Sequence, residues 1–168
     1  MNLIYFKKIT FLLFAFITTL AFCQTRISQN KTANNNLTQF VDPFIGSSDH
    51  GHVFVGANVP FGGVQLGPSN FYKGWDWSSS YHYTDSIVKG FTHLNLSGTG
   101  MTDLADFIVM PAVGKRKIWA GNQEHPNDAY ASFYSKKTES VKPGYYTVML
   151  DDYNIKVELT ATERVGMH

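Results

Sequence analysis

The sequence predicts an all-β fold: an antiparallel β-sandwich with at most a few short helical turns. Three observations carry that reading. Charged residues make up only 16% of the 168 residues and aromatic residues 15%, against roughly 25% charged in average soluble proteins. Glycines at 46, 51, 56, 62, 63 and 67 interrupt the chain too often for a long helix. Near the C-terminus, two strand-like runs flank an Asp-Asp-Tyr-Asn turn, and the second alternates with a period of two. The length suits one domain with a tail, and 43% hydrophobic residues suffice for a core. The net charge of +1 comes with no basic stripe, which argues against nucleic acid as a partner.

Residues 1–23 read as a secretory signal. Lys7 and Lys8 form its positive start, Ile9 to Leu20 its apolar centre, and Ala21-Phe22-Cys23 a small-x-small cleavage site. The apolar run is too short for a membrane span. Cleavage would remove two lysines and the only cysteine, leaving 12 basic residues against 13 acidic. The protein is then expected to be secreted or periplasmic. A lipoprotein acylated at Cys23 is the alternative, and the only route to a membrane, but bulky Phe22 fits that pattern poorly. Residues 24–37 are polar and rich in Asn, the composition of a flexible leader.

The domain is expected to occupy residues 38–168. Val41 to Gly46 is a short apolar entry, and the glycine-rich stretch after it favours short strands with tight bends. Val64-Gln65-Leu66 reads as a strand ended by Gly67-Pro68. Gly90 to Ser97 alternates, with Thr92, Leu94 and Leu96 on one face and Phe91, His93, Asn95 and Ser97 on a polar face that would line a cleft. Phe107 to Val113 reads as a buried strand that Pro111 breaks or places at an edge. Asp128 to Ser135 suits a single helical turn, and the rest of 114–140 reads as loop. Pro143-Gly144 opens a hairpin of Tyr145–Leu150 and Ile155–Thr162, with Ile155, Val157, Leu159 and Ala161 inward. The total is about seven strands, with no obvious closing element before His168.

Between Gly74 and Asp106, 33 residues hold two tryptophans, two histidines and four aspartates. Trp75, Trp77, Tyr81 and Tyr83 offer flat apolar faces with polar edges. Asp76, Asp85, His82 and His93 set hydrogen-bonding groups beside them. A sugar, with an apolar C–H face and a rim of hydroxyls, needs that pairing. An aromatic turn packed on a sheet is the plainer reading and stays open at this point. His50-Gly51-His52 places two imidazoles on one face of an extended chain. With no third ligand at a regular spacing, loop histidines making hydrogen bonds are preferred over a zinc pair. Glycoside hydrolysis needs two carboxyl groups flanking the bond; Asp76, Asp85, Asp103 and Asp106 are the local candidates, and turn aspartates are commonly caps.

Taken in order, Val41-Asp42-Pro43-Phe44-Ile45-Gly46, His50-Gly51-His52, Val59-Pro60-Phe61-Gly62, Trp75-Asp76-Trp77 with Tyr81-His82-Tyr83, Gly90-Phe91-Thr92-His93, Leu96-Ser97-Gly98-Thr99-Gly100 and Pro143-Gly144-Tyr145-Tyr146 resemble the N-terminal domain of glycoside hydrolase family 92. So does Leu159 to Thr162 with Arg164-Val165-Gly166. The resemblance runs from about Val41 to His168. It implies a secreted, calcium-dependent, inverting exo-α-mannosidase acting on mannose-containing glycans such as glycoprotein N-glycans. In that family a β-sandwich precedes a helical (α/α)-barrel domain.

The resemblance also implies that the acid and base carboxylates and most calcium ligands lie on the barrel, which this sequence lacks. Catalytic residues are therefore expected in the missing domain, no metal is expected for this chain alone, and the chain by itself is expected to be inactive. Its expected share is half of a mannose site: Trp75 and Trp77 stacking on the ring, and Asp76, His82 and His93 bonding hydroxyls, with Tyr81, His50 and His52 beside them. A stand-alone carbohydrate-binding module and a non-functional fragment are the rival readings. The sequence departs from the family where Ser78 and Met101 replace Cys, Ser80 and Asp49 replace Gly, and Val55 replaces Pro. Ser80 would be strained if its position needs a positive φ.

Overall fold

The computed structural model describes residues 36–98, 107–124 and 128–168. The signal segment, nearly all of the leader, Met101, Asp103 and Asp106 lie outside the described residues. The chain divides at Leu37 and Thr38, and the following account concerns Thr38–His168. No helix among the described residues is long and apolar enough to cross a membrane; the helical pieces are 3-10 turns at Leu37–Phe40 and Trp75–Trp77.

Nine short strands are described: β1 (Gly67–Ser69), β2 (Ile87–Val88), β3 (Gly90–Thr92), β4 (Ile108–Val109), β5 (Ser132–Phe133), β6 (Ser140–Lys142), β7 (Tyr145–Leu150), β8 (Ile155–Ala161) and β9 (Gly166–Met167). All pairings are antiparallel. They form a sheet ordered β1-β3-β4, a pair β2-β5 and a sheet ordered β6-β7-β8-β9. The fold is therefore all-β, as its composition predicts.

The hairpin anchors the molecule. Tyr146 pairs with Leu159, Val148 with Val157 and Leu150 with Ile155. Alternate side chains of β7 and β8 are buried, as period two requires. Asn154 closes the turn at φ 51, a conformation Asn tolerates better than most residues. This inner face packs with Phe91, Val88, Leu66, Val55 and Ala57 in one core. The Phe91 and Tyr146 rings, 6.4 Å apart, join the two layers; burying a side chain such as Phe91 contributes about 1.5–3 kcal/mol.

Several expectations need correction. The early strand is Gly67–Ser69, one step beyond Val64-Gln65-Leu66, and Leu66 makes a single bridge to Ala57. The alternating run stops at Thr92. Phe91 and Thr92 are both fully buried while Leu96 is exposed, so the two faces do not divide as predicted, and of the polar face Ser97 alone lines a described cleft. Instead Thr92 Oγ1 donates to Asn95 Oδ1 at 3.1 Å, and Asn95 Nδ2 donates to the Gln65 carbonyl at 2.9 Å. Buried polar groups find each other here because leaving one unpaired costs more than the bond returns.

The apolar run from Phe107 is exposed rather than buried: β4 is an edge strand and ends before Pro111. Asp128–Ser135 contains strand β5 instead of a helical turn. Strand β6, unpredicted, begins at Ser140, the last residue of the stretch read as loop, and Pro143-Gly144 is the tight turn joining β6 to β7. Proline presets the first turn position and Gly144, at φ 75, supplies the second. The closing element is β9, paired to β8 through Ala161 and Gly166.

Candidate functional site

The three residues of the Trp75–Trp77 turn point in different directions because a 3-10 helix has three residues per turn. That separates two tryptophans that look like a pair in the sequence. Trp75 is 55% exposed, and its ring meets the His52 ring in a T-shape at 4.1 Å. His50 lies tilted against the same indole at 5.9 Å. Asp76 Oδ1 is 2.6 Å from His50 Nδ1 and 3.5 Å from His52 Nε2. The His-Gly-His loop and the tryptophan turn thus meet, 26 residues apart in sequence.

The backbone fixes that loop. Val53 N–H donates to the Gly46 carbonyl, and Gly98 N–H to the His52 carbonyl at 2.7 Å. A Cβ at residue 51 would lie 2.0 Å from the Gly46 oxygen, so only glycine fits between the two histidines.

The Asp76 carboxylate, by its hydrogen bond and its charge, raises the His50 imidazole above its ordinary value, and His50 holds the Asp76 carboxyl below its own. His52 Nε2 is buried, and its contact with Asp76 Oδ1 at 3.5 Å is too long for a well-formed hydrogen bond. An NMR titration is expected to show His50 with a midpoint above 6.5, falling back in Asp76→Asn; a midpoint that the substitution leaves unchanged would show that the pair does not form. By linkage, the His50 contribution is present below the ordinary imidazole value and lost as pH rises through the raised one. The Asp76 contribution is present above the ordinary carboxyl value and lost as pH falls through the lowered one. The pair is therefore intact in mildly acidic solution.

The other candidates sit elsewhere. Trp77 stacks on His82 at 4.1 Å, and its indole N–H donates to Asp85 Oδ2 at 2.7 Å. Lys73 donates to Asp85 Oδ1 at 2.8 Å. His82 is buried and bonded to Thr84. With one indole face covered and its N–H used, Trp77 belongs to a packed support, as do His82 and Asp85. Tyr81 is a core residue, 1% exposed, whose hydroxyl donates to Glu139 Oε2. His93 lies between Phe107 and His168. The predicted site residues thus form one group of Trp75, Asp76, His50 and His52 and a second of Trp77 and His82, with Tyr81 and His93 apart from both.

Glu139 and Lys136 gave no sequence signal. The Glu139 side chain is fully buried. It accepts hydrogen bonds from Tyr81, Tyr146 and Lys136 at 3.0, 2.8 and 2.9 Å. Lys136 also donates to the Tyr81 and Tyr134 hydroxyls.

Ser80 sits at φ 70, the strained case named above. Ser80→Gly is expected to stabilise by roughly 0.5–1 kcal/mol, the relief of left-handed strain less the greater freedom of unfolded glycine. Urea denaturation would check this; a midpoint that falls would mean that Ser80 is not strained.

Residues 40–168 match the glycosyl hydrolase family 92 N-terminal domain. The chain belongs to that family. It is 42% identical to a family 92 α-mannosidase of Bacteroides thetaiotaomicron solved in complex with mannoimidazole, with a TM-score of 0.74 over 77% of this chain and 17% of that one. A family 92 inverting mannosidase of the same species is 25% identical, with a TM-score of 0.56 over 77% of this chain and 17% of that one. An uncharacterised secreted glycosidase of Arthroderma benhamiae is 25% identical over 138 residues, 79% of this chain and 17% of that protein. The chain thus spans about a sixth of the length of these relatives.

Proposed function

We propose that this family 92 domain supplies the aromatic wall of a pocket that grips a terminal mannose on a glycan, and that a C-terminal catalytic domain supplies the other wall and the carboxyl groups that cleave the bond. The observation that carries this reading is the Trp75 indole, exposed yet held beside His52 and the His50–Asp76 pair. Its apolar face suits the C–H face of a hexose. The Asp76 carboxylate, 28% exposed beside the indole, suits hydroxyls. The relative that was solved with mannoimidazole supports mannose as the sugar.

Two features favour cleavage elsewhere. Asp76 is paired with His50, and both Asp85 oxygens are committed to Lys73 and Trp77. Trp75 is 55% exposed and lines none of three described clefts of about 720, 470 and 470 Å³, which suits an indole completed by a second wall. Among the described residues no three acidic, His or Cys side chains converge on a point where a metal could sit. The described residues gather no carboxylate shell for a calcium ion, and no step here runs through one. Secretion after removal of residues 1–23 completes the reading.

The test uses a chimera in which Thr38–His168 replaces the matching domain of the 42%-identical mannosidase. Trp75→Ala is expected to lower kcat/KM on an α-mannoside about tenfold or more, while Trp119→Ala leaves it unchanged. Equal activity of the Trp75→Ala chimera and its parent would remove the indole from the site.

A further inference from the structure

We propose a second binding site, for a sugar carrying a phosphate or sulfate ester, in the cleft of about 470 Å³ between the edge strand β4 and the segment that follows it. The choice of a sugar rests on the glycan reading above; the choice of an anion does not. One wall is apolar, with Ile108, Met110 and Val113. The chain then reverses at Gly114, at φ 83, where an added Cβ would meet nothing and only the left-handed backbone calls for glycine. The returning wall carries Lys115 and Arg116, and Tyr130 also lines the cleft. No carboxylate is among its lining residues.

This basic wall is anchored. Lys117 Nζ donates to the Ala129 carbonyl at 2.9 Å. Tyr130 N–H donates to the Trp119 carbonyl at 2.8 Å, and Ala131 N–H to the Ala120 carbonyl at 3.3 Å. Elsewhere in the described chain, cations near acids are spent: Lys73, Lys136 and Lys156 each pair with a carboxylate within 2.9 Å. Lys115 and Arg116 pair with none among the described residues. Apolar side chains and two cations without a carboxylate partner line the same cleft, which fits a ligand with an apolar face and an anionic group. Arginine adds a planar fork matched to the oxygens of phosphate or sulfate.

Calorimetry on the full chain would use mannose 6-phosphate and mannose 6-sulfate, with mannose, inorganic phosphate and anionic lipid vesicles for comparison. Both esters are expected to bind at least about tenfold more tightly than mannose or inorganic phosphate, and the double variant Lys115→Ala/Arg116→Ala to lose that advantage. The double variant is read by ester binding and the mannose wall by chimera activity, so failure here is distinct from failure of the mannose wall. The two esters separate by pH: phosphate binding strengthens above its second pKa of about 6, whereas sulfate binding stays level. Inorganic phosphate binding as tightly as the esters, vesicles binding while the esters do not, or an advantage that survives the double variant would each overturn the proposal.

Discussion

Glu139→Ala is expected to destabilise the folded domain by about 3–5 kcal/mol, the cost of breaking a buried ion pair by removing one partner. Glu139 is the acceptor for Tyr81, Tyr146 and Lys136 together. Its removal leaves two buried hydroxyls and a half-buried ammonium without their anion. Against a total of about 5–15 kcal/mol for a domain, the substitution takes a large share, and urea denaturation would measure it. Lys136→Met is expected to fall in the same range, because it leaves the buried carboxylate with only hydroxyl donors. The double variant Lys136→Met/Glu139→Leu should recover much of the loss, since an apolar replacement of a buried pair is often neutral. Single variants within 1 kcal/mol of the parent would show that the network carries little stability.

The same cluster sets the alkaline limit. Burial, and then the Glu139 charge, push the Tyr81, Tyr134 and Tyr146 hydroxyls well above the ordinary tyrosine value. A raised folded value means stability that is complete below the unfolded value near 10 and is lost as pH rises beyond it. Each such tyrosine contributes about 1.4 kcal/mol of loss per pH unit, so three together give about 4 kcal/mol per unit. Lys136 works the other way: burial lowers it below 10.5, so up to that pH stability gains slightly as the unfolded chain alone stays protonated. Above 10.5 the tyrosines act unopposed. Tyrosinate absorbance from these three should therefore appear together with loss of the folded circular dichroism. Their ionisation near pH 10 in a still-folded chain would contradict the assignment.

Local signals made the hairpin legible. Alternation over Ile155–Ala161 is a direct image of one buried face, and the sequence places both strands within a residue of their ends. The other sheets were read poorly because their strands are two or three residues long, too short to show a period. Thr92 and Asn95 misled for a physical reason: they are polar yet buried, satisfied by each other and by the Gln65 carbonyl.

At the site, the sequence showed which residue types gather near Trp75 but not how a tight turn divides them. Trp75 and Asp76 face the histidine loop, and Trp77 faces His82. The Glu139 network is assembled from residues up to 58 positions apart, and nothing local announces it.

Mannose release from an α-1,2-linked disaccharide compares this chain with the chimera most directly. The account predicts no release by the chain alone and release by the chimera within about tenfold of the parent mannosidase. Mannose freed by the chain alone, or a folded chimera that frees none, would contradict it.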